Sequence, residues 1–393
     1  MQVIEGGRLP IWSWAPGIDG ETLTQARAIA DLSVALDHVA LMPDAHPGFG
    51  MPIGGVLLAD DALIPYAVGV DIGCGVAFAR TDLVWGETLR PDALRAILAS
   101  LERAIPTGFA VHRDPPMRLD EMIEAIGLEP PPSIAPRWLE RADRSIGTLG
   151  GGNHFLEVQR DEEERVCFML HSGSRNLGKQ VCDEFVARAR AACARGRRTL
   201  PNRDLAYLVL GVDEDAAAYR DAMTWAMAWA ELNRRTMMDR VEEAFRDHAR
   251  VGRFERVGDV HHNFAAEETH AGRRGWVHRK GAVRAAAGET VFIPGSMGTA
   301  SYVGVGVGAA GSFETCQHGA GRALGRHEAM RRTSRDEVYA EMAALGVELR
   351  SGEPRTVAEE APVAYKPIDE VMAASVDLVR PVARLRPIGV VKG

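Results

Sequence analysis

The segment Val70-Asp71-Ile72-Gly73-Cys74-Gly75-Val76 sets a carboxylate and a thiol three positions apart, with glycines on both sides of the thiol. Carboxylate and thiolate together suit a borderline divalent cation such as Zn²⁺ or Mn²⁺, and a thiolate can bridge a pair of them. Gly73 and Gly75 would let the backbone bend until both side chains face one point. The apolar approach Ala67-Val68-Gly69-Val70 predicts a buried strand ending at the carboxylate. Taken alone, the pair fits a core cysteine beside a strand-end aspartate better, since cysteine is among the most buried residue types. Its weight comes from histidine motifs further along that lack ligand partners of their own.

Gly147-Thr148-Leu149-Gly150-Gly151-Gly152-Asn153-His154-Phe155-Leu156-Glu157-Val158 places Asn153, His154 and Glu157 around the start of an alternating strand. Alternation would put Phe155 and Glu157 on one face and His154 and Leu156 on the other. The glycines bring bare amides close to whatever His154 faces, which suits a phosphate, although a glycine turn with a hydrogen-bonded histidine fits equally. Val166-Cys167-Phe168-Met169-Leu170 predicts a buried strand ending in His171-Ser172-Gly173-Ser174-Arg175, where hydroxyls and a guanidinium add phosphate-type donors. In Val260-His261-His262-Asn263 adjacent histidines point to opposite faces of a strand, so only one can join a given metal centre. A single strand-end histidine is more often structural. Recurrence of the same layout favours a shared cation.

Cys316-Gln317-His318-Gly319-Ala320-Gly321-Arg322 is the sharpest motif. Gly319 and Gly321 remove side chains that would block a phosphorylated ligand, and Arg322 can hold phosphate oxygens bidentately. The imidazole could be a metal ligand, a general base or a nucleophile at phosphorus. A nucleophile needs its second ring nitrogen held by an acceptor, and Asp44 in Met42-Pro43-Asp44-Ala45-His46-Pro47-Gly48-Phe49-Gly50 is the candidate. That stretch predicts a rigid Pro/Gly-punctuated loop. Val277-His278-Arg279-Lys280-Gly281-Ala282 predicts a basic strand end, and Ile293-Pro294-Gly295-Ser296-Met297-Gly298 a Gly-rich loop. Metal-capable residues at strand ends beside Gly-rich, Arg-containing turns predict a metal centre next to a phosphate pocket, hence phosphoryl or nucleotidyl transfer.

The elements that must position these residues follow from periodicity. Glu21 to about Leu36 is helix-like, after two Trp-containing turns. Pro91 to Ile105 predicts an amphipathic helix with Leu94, Ile97, Leu98, Leu101 and Ile105 on one face. Asp114 to Pro136 is proline-rich and predicts a surface excursion within residues 110–140. Asp213 to Arg250 lacks Gly and Pro, and Tyr219, Met223, Ala226, Ala230, Met237, Val241 and Phe245 recur at helical steps, which predicts one long helix over 213–250. A short helix within Ala364–Met372 and a final strand at Val390-Val391-Lys392 close the chain.

Composition narrows the class. With 393 residues, 46% hydrophobic and 25% charged, the chain can bury a large core of ordinary globular type. No apolar run is long enough to span a bilayer, and the N-terminus lacks the regions of a signal peptide. Cysteines 74, 167, 182, 193 and 316 form no CxxC pair, which points to a reducing, cytoplasmic compartment. A net charge of −8 argues against non-specific coating of nucleic acid while leaving room for a local basic groove. Arginine clusters around 188–203, 273–284 and 322–335; the first group fits solvated helix faces and phosphate binding about equally. Without an internal repeat or clear linker, residues 1–393 are expected to form a single domain. Its expected class is α/β of the α+β type with mixed sheets, neither Rossmann nor P-loop because neither glycine fingerprint occurs in its required strand-to-helix setting.

In this order, from Met42-Pro43-Asp44 to the terminal Val391-Lys392-Gly393, the motifs resemble the RtcB family of RNA ligases over most of the chain outside residues 105–140. The resemblance implies an RtcB-like fold and GTP-dependent joining of an RNA 3′-phosphate or 2′,3′-cyclic phosphate to a 5′-hydroxyl, as in tRNA splicing or RNA repair. Asp71, Cys74, His154, His171 and His262 would hold a pair of Mn²⁺ ions with Cys74 bridging. His318 would attack the α-phosphate of GTP and form a histidine–guanylate, with Asp44 orienting it. Asn153, Asn263 and Arg322 would contact phosphates; Ser296, Tyr365 and Lys392 would lie near the guanine, and Glu157 near the nucleotide. A helper protein such as archease is a further implied partner. The family's Arg-x-x-Ser-Arg pattern is here Arg322-Ala323-Leu324-Gly325-Arg326, so one hydroxyl expected near the nucleotide is missing, and residues 110–140 look shortened. The rival expectations are a dinuclear metal phosphoesterase acting on RNA ends, and a non-catalytic RNA-binding protein with a structural metal site.

Overall fold

Apolar alternation along the strands sorts the chain into two large sheets, each with a core on both faces. The computed structural model describes residues 1–352 and 357–393. Among them, a six-stranded sheet runs in the order Gln2–Ile4, Ile11–Ser13, Ala35–His46, Ile53–Ala59, Arg273–Lys280, Asn263–His270. An eight-stranded sheet runs Phe254–His261, Gly75–Val84, Arg165–Ser172, Phe155–Arg160, Val379–Lys392, Ser301–Gly306, Thr290–Ile293, with Glu348–Ser351 also paired to Val379–Lys392. Ile11–Ser13 pairs parallel with Ala35–His46, and Glu348–Ser351 pairs parallel with the C-terminal strand, so both sheets are mixed. The architecture is α/β of the α+β type.

Period-two alternation explains the layers. Leu156, Val158, Phe168 and Leu170 pack against Leu94, Ile97, Leu98 and Leu101 of the helix Pro91–Ala104. Their neighbours Phe155, Cys167 and Met169 pack on the other face with Phe78 and Phe292. In the six-stranded sheet Val56 and Leu58 face one cluster while Leu57 faces another.

The predicted long helix is Glu214–His248, 35 residues without a break, about 50 Å at 1.5 Å per residue. Its predicted seam is buried throughout. Tyr219, Trp225 and Trp229 sit in one apolar cluster, and Met237, Val241 and Phe245 sit in the cluster beneath the eight-stranded sheet. Between the clusters lie Asn233 and Arg234, both 0% exposed. Asn233 Oδ1 accepts from the amides of Gly147 (2.8 Å) and Thr148 (3.2 Å), and its Nδ2 donates to the Thr148 and Gly173 carbonyls. Arg234 donates to the carbonyls of Gly73 and Ser172, both at 2.9 Å, and pairs with Asp259 at 2.7 Å. One helical turn thus holds the backbones leading to Cys74, His154 and His171.

Several local expectations are corrected. Ala67–Val70 is no strand: Pro65 fits the first turn of a short helix, Pro65–Val68, and Gly69, at φ +102°, ends it. Residues 42–46 are not loop but the end of Ala35–His46, where a register shift after Leu41 marks the irregularity that proline and Asp44 impose. The first helix stops at Ala30 and the chain is extended again from Ala35, because the β-rich run of the strand takes over. Trp12 lies in a strand, not a turn. The proline-rich excursion carries the helix Leu119–Ile126, whose Met122 is buried in the core. The basic strand end is buried rather than solvated: Arg279 pairs with Glu268, and Lys280 Nζ donates to the carbonyls of Phe49, Met51 and Tyr66. In the first arginine group, Arg188, Arg190 and Arg198 are paired with Asp215, Asp204 and Asp213, while Arg195, Arg197 and Arg203 are exposed.

Replacing Asn233 by Ala strands the Gly147 and Thr148 amides. At ~1–3 kcal/mol for each buried unsatisfied group, a loss of about 2–6 kcal/mol is expected. A urea midpoint unchanged from wild type would contradict the latch.

Candidate metal and nucleotide site

Adjacent strand ends bring the motifs together. In register, His261 lies opposite Gly75, Gly75 opposite Ser172, His171 opposite Phe155, and Phe155 opposite Lys392. Five neighbouring strands of the eight-stranded sheet therefore end along one line. His262 is the single residue between Phe254–His261 of that sheet and Asn263–His270 of the other. Its amide donates to the Cys74 carbonyl at 2.9 Å, and its own carbonyl accepts from Ala282 at 3.0 Å. His261 turns the other way, with Nδ1 3.0 Å from the Gly73 carbonyl, as strand parity predicts.

The ligand-capable atoms form a chain of close contacts. Asp71 Oδ2 is 3.2 Å from His154 Nε2, which is 3.4 Å from Cys74 Sγ. The thiol is 3.2 Å from His171 Nε2, itself 3.3 Å from His262 Nε2. Such separations are the edges of a coordination shell with ordinary bond lengths. His171 Nδ1 donates to the Asn153 carbonyl at 3.2 Å, leaving its Nε2 a lone pair that faces the cluster. His154 Nδ1 is 3.0 Å from the Leu149 carbonyl and 2.9 Å from Arg175 Nη1, and it can serve only one of them. A cation on Nε2 would select the first, because Nδ1 must then carry the proton. Burial, then neighbouring histidines, push His171 and His262 well below the usual imidazole range, so both rings are neutral and fit to bind a cation. Burial and then Asp71 push the Cys74 thiol well up, so an incoming cation would have to displace its proton. The donor set fits a divalent metal.

Beside this cluster stands His318, its ring centroid 4.9 Å from that of His262. Nδ1–H donates to Asp44 Oδ2 at 2.7 Å, and the backbone N–H of His318 reaches the same oxygen at 3.1 Å. Asp44 is fully buried behind the ring, and Gly321, at φ +71°, lets the turn close over it; a Cβ there would meet the Asp44 carbonyl oxygen at 2.3 Å. In the neutral ring this bond selects the tautomer with the proton on Nδ1 and the lone pair on Nε2.

A cavity of about 990 Å³ lies over both groups, lined by every predicted site residue except Asp44. His154, Phe155 and Glu157 all line it; the expected separation of faces fails because His154 precedes the strand, which begins at Phe155. Asn263 spends its amide on the backbone, donating to the Asp71 carbonyl and accepting from Gly281. Ser296 hydrogen-bonds Thr299 at 3.0 Å. Arg322 donates to Glu360 (3.0 Å), the Glu359 carbonyl (2.7 Å) and the Leu324 carbonyl (3.0 Å), and stacks on Tyr365.

Glu360 is the site residue that sequence reasoning missed. Buried at 1% exposure, it receives Arg322 and the Tyr365 hydroxyl and lies 3.8 Å from Lys392 Nζ. Burial works to raise its carboxyl, but Lys392 and Arg322 outweigh that and hold it below the usual range. The only sequence signal was three predicted site residues, Arg322, Tyr365 and Lys392, that all needed an acceptor. Gly325, where the family pattern has Ser, is the N-cap of the helix Arg326–Arg332 and does not line the cavity. The missing hydroxyl therefore bears on helix capping, a matter of a few tenths of a kcal/mol.

The comparisons place the chain in a family. A family model described as "tRNA-splicing ligase RtcB" matches residues 25–129 and 124–393. An "RNA-splicing ligase RtcB" of Escherichia coli K12 is 38% identical, covering 98% of this chain and 97% of that protein. The protein of the same name from Mycobacterium tuberculosis is 38% identical over 90% of this chain and 96% of its own length. A "tRNA-splicing ligase RtcB" of Pyrobaculum aerophilum is 36% identical over 90% and 87% respectively. The chain belongs to the RtcB family.

Burial raises the Glu157 carboxyl to about 8. A folded value above the unfolded one gives stability that is complete below about 4.5 and lost as pH rises toward 8. Glu157→Gln, which cannot ionise, should gain on wild type between pH 5 and pH 8 in urea unfolding; a gap independent of pH would contradict the neutral carboxyl.

Proposed function

We propose that this protein is an RNA ligase that joins a 3′-phosphate or 2′,3′-cyclic phosphate end to a 5′-hydroxyl end, consuming GTP through a guanylylated His318. The observation that carries the reading is the Asp44–His318 hydrogen bond beside the ligand cluster. A solvated imidazole is a poor nucleophile toward a polyanion. A ring with Nδ1–H fixed on a buried carboxylate presents Nε2 in one orientation and has the positive charge of its phosphoramidate compensated.

In the first step the Nε2 lone pair attacks the α-phosphorus of GTP. A P–N bond forms, the α–β anhydride breaks, and pyrophosphate leaves while Asp44 keeps the Nδ1 proton. In the second, an oxygen of the RNA 3′-phosphate attacks the same phosphorus, the P–N bond breaks and His318 is restored. The 5′-hydroxyl then attacks the activated 3′-phosphate and GMP leaves; a cyclic phosphate is first opened by water. Asp71, Cys74, His154, His171 and His262 would hold the Mn²⁺ ions, and the donor atoms of Cys74, His154 and His171 all lie within 4.8 Å of one another. When bound, the ions neutralise phosphate charge and align groups for in-line displacement. Glu157, Ser296, Tyr365 and Lys392 are assigned to the nucleotide, and Asn153, Asn263 and Arg322 to phosphates. Arg322 makes three hydrogen bonds, one from each nitrogen, which leaves one N–H on each of Nη1 and Nη2 for a phosphate. Arg326 is more available: its side chain is 57% exposed and its acidic neighbours are at 3.7 and 4.0 Å.

A joining assay with a 3′-phosphate and a 5′-hydroxyl oligonucleotide tests the reading. His318→Ala should abolish joining, and Asp44→Asn should slow it about 10–100-fold by loosening the ring and disturbing its tautomer. Substantial processing of RNA ends by His318→Ala would instead favour a metal phosphoesterase.

A further inference from the structure

The chain has 11 Phe, 7 Trp and 6 Tyr. Among the described residues only Phe49 and Phe109 are exposed, at 69% and 88%, and both line the cavity over His318 and the ligand cluster. Scattered exposed aliphatic side chains need no explanation. Confinement of both mostly exposed aromatic rings to one mouth does.

Neither ring sits on a slack loop. The Phe49 turn is pinned by a double bond pair between the Gln25 amide and the Gly48 backbone (2.7 and 3.0 Å), and by Lys280 Nζ on the Phe49 carbonyl at 2.6 Å. Its ring lies 6.4 Å from Tyr66, over which Arg190 stacks. The Phe109 turn is tied to the glycine motif through Gly108 N–H on the Gly150 carbonyl at 2.8 Å. Both turns line the cavity that His154 and His318 also line. Exposed cations share the mouth: Arg141, Lys179 and Arg326 all line it, and no ion pair engages Arg141 among the described residues.

Rigid exposed rings beside cations around a phosphate pocket are how proteins hold single-stranded nucleic acid, with bases on the rings and backbone along the charges. We propose that Phe49 and Phe109 are stacking platforms for unpaired bases next to the reacting ends, so that the substrate is RNA with single-stranded rather than blunt duplex termini. This rests on the RNA-joining reading above.

The test is fluorescence anisotropy without GTP, using a labelled single-stranded RNA carrying a 3′-phosphate and a blunt duplex of the same sequence. Wild type should prefer the single strand. Phe49→Ala and Phe109→Ala should each weaken that binding roughly tenfold and leave GTP labelling of the protein unchanged. Tyr should rescue and Leu should not, and an abasic terminal residue in the RNA should erase the difference. Equal binding of strand and duplex, equal rescue by Leu, or unchanged affinity of the Ala variants overturns the proposal. Aromatic-dependent RNA binding by a protein that joins nothing would support the platforms while refuting the ligase reading.

Discussion

A guanidinium and an amide midway along the buried side of one long helix hold this site in shape. A fully buried cation is strongly unfavourable unless paired and saturated with acceptors, and Arg234 meets that condition by gripping Asp259 and the carbonyls of Gly73 and Ser172. Asn233 does the same for the Gly147–Thr148 turn and Gly173. Glycine-rich segments have little side-chain packing to define their path. The latch supplies that definition from a rigid element spanning two cores, so the ligand side chains inherit helix-like precision although they sit at loop mouths.

The second constraint is the seam between the sheets. His262 is both a candidate ligand and the residue at which the chain passes from one sheet to the other, and its backbone is bonded to Cys74 and Ala282. The six-stranded sheet brings Asp44, and the turn after Thr315–Gln317 brings His318 against it. The proposed nucleophile and the candidate metal ligands are thereby fixed within one ring contact, His318 against His262. Glu360 gives the opposite wall an equivalent centre, gathering Arg322, Tyr365 and Lys392 around one buried carboxylate.

The sequence was legible where a residue's chemistry demanded a partner. The need of His318 for an acceptor pointed to Asp44 across 274 positions, and the two are bonded. The period of the long helix was equally plain, since apolar residues recur at helical steps from Tyr219 to Phe245 with no Gly or Pro between Asp213 and Arg250. Asn233 and Arg234 were not legible, because a polar pair within a charged helix looks like any solvated face until tertiary contacts bury it. Glu360 was hidden for the same reason. Pro65–Val68 misled because its apolar residues suit a buried strand, and only the proline marks the helical turn. His154 escaped the alternation argument by preceding its strand by one residue.

The central claim is that one imidazole becomes covalently charged. The direct measurement is to incubate the protein with Mn²⁺ and GTP labelled at the α-phosphate, then map the labelled peptide. The account predicts acid-labile, alkali-stable label on the peptide containing His318, with release of pyrophosphate and none in His318→Ala. Label on another peptide, or label that survives in His318→Ala, would contradict it.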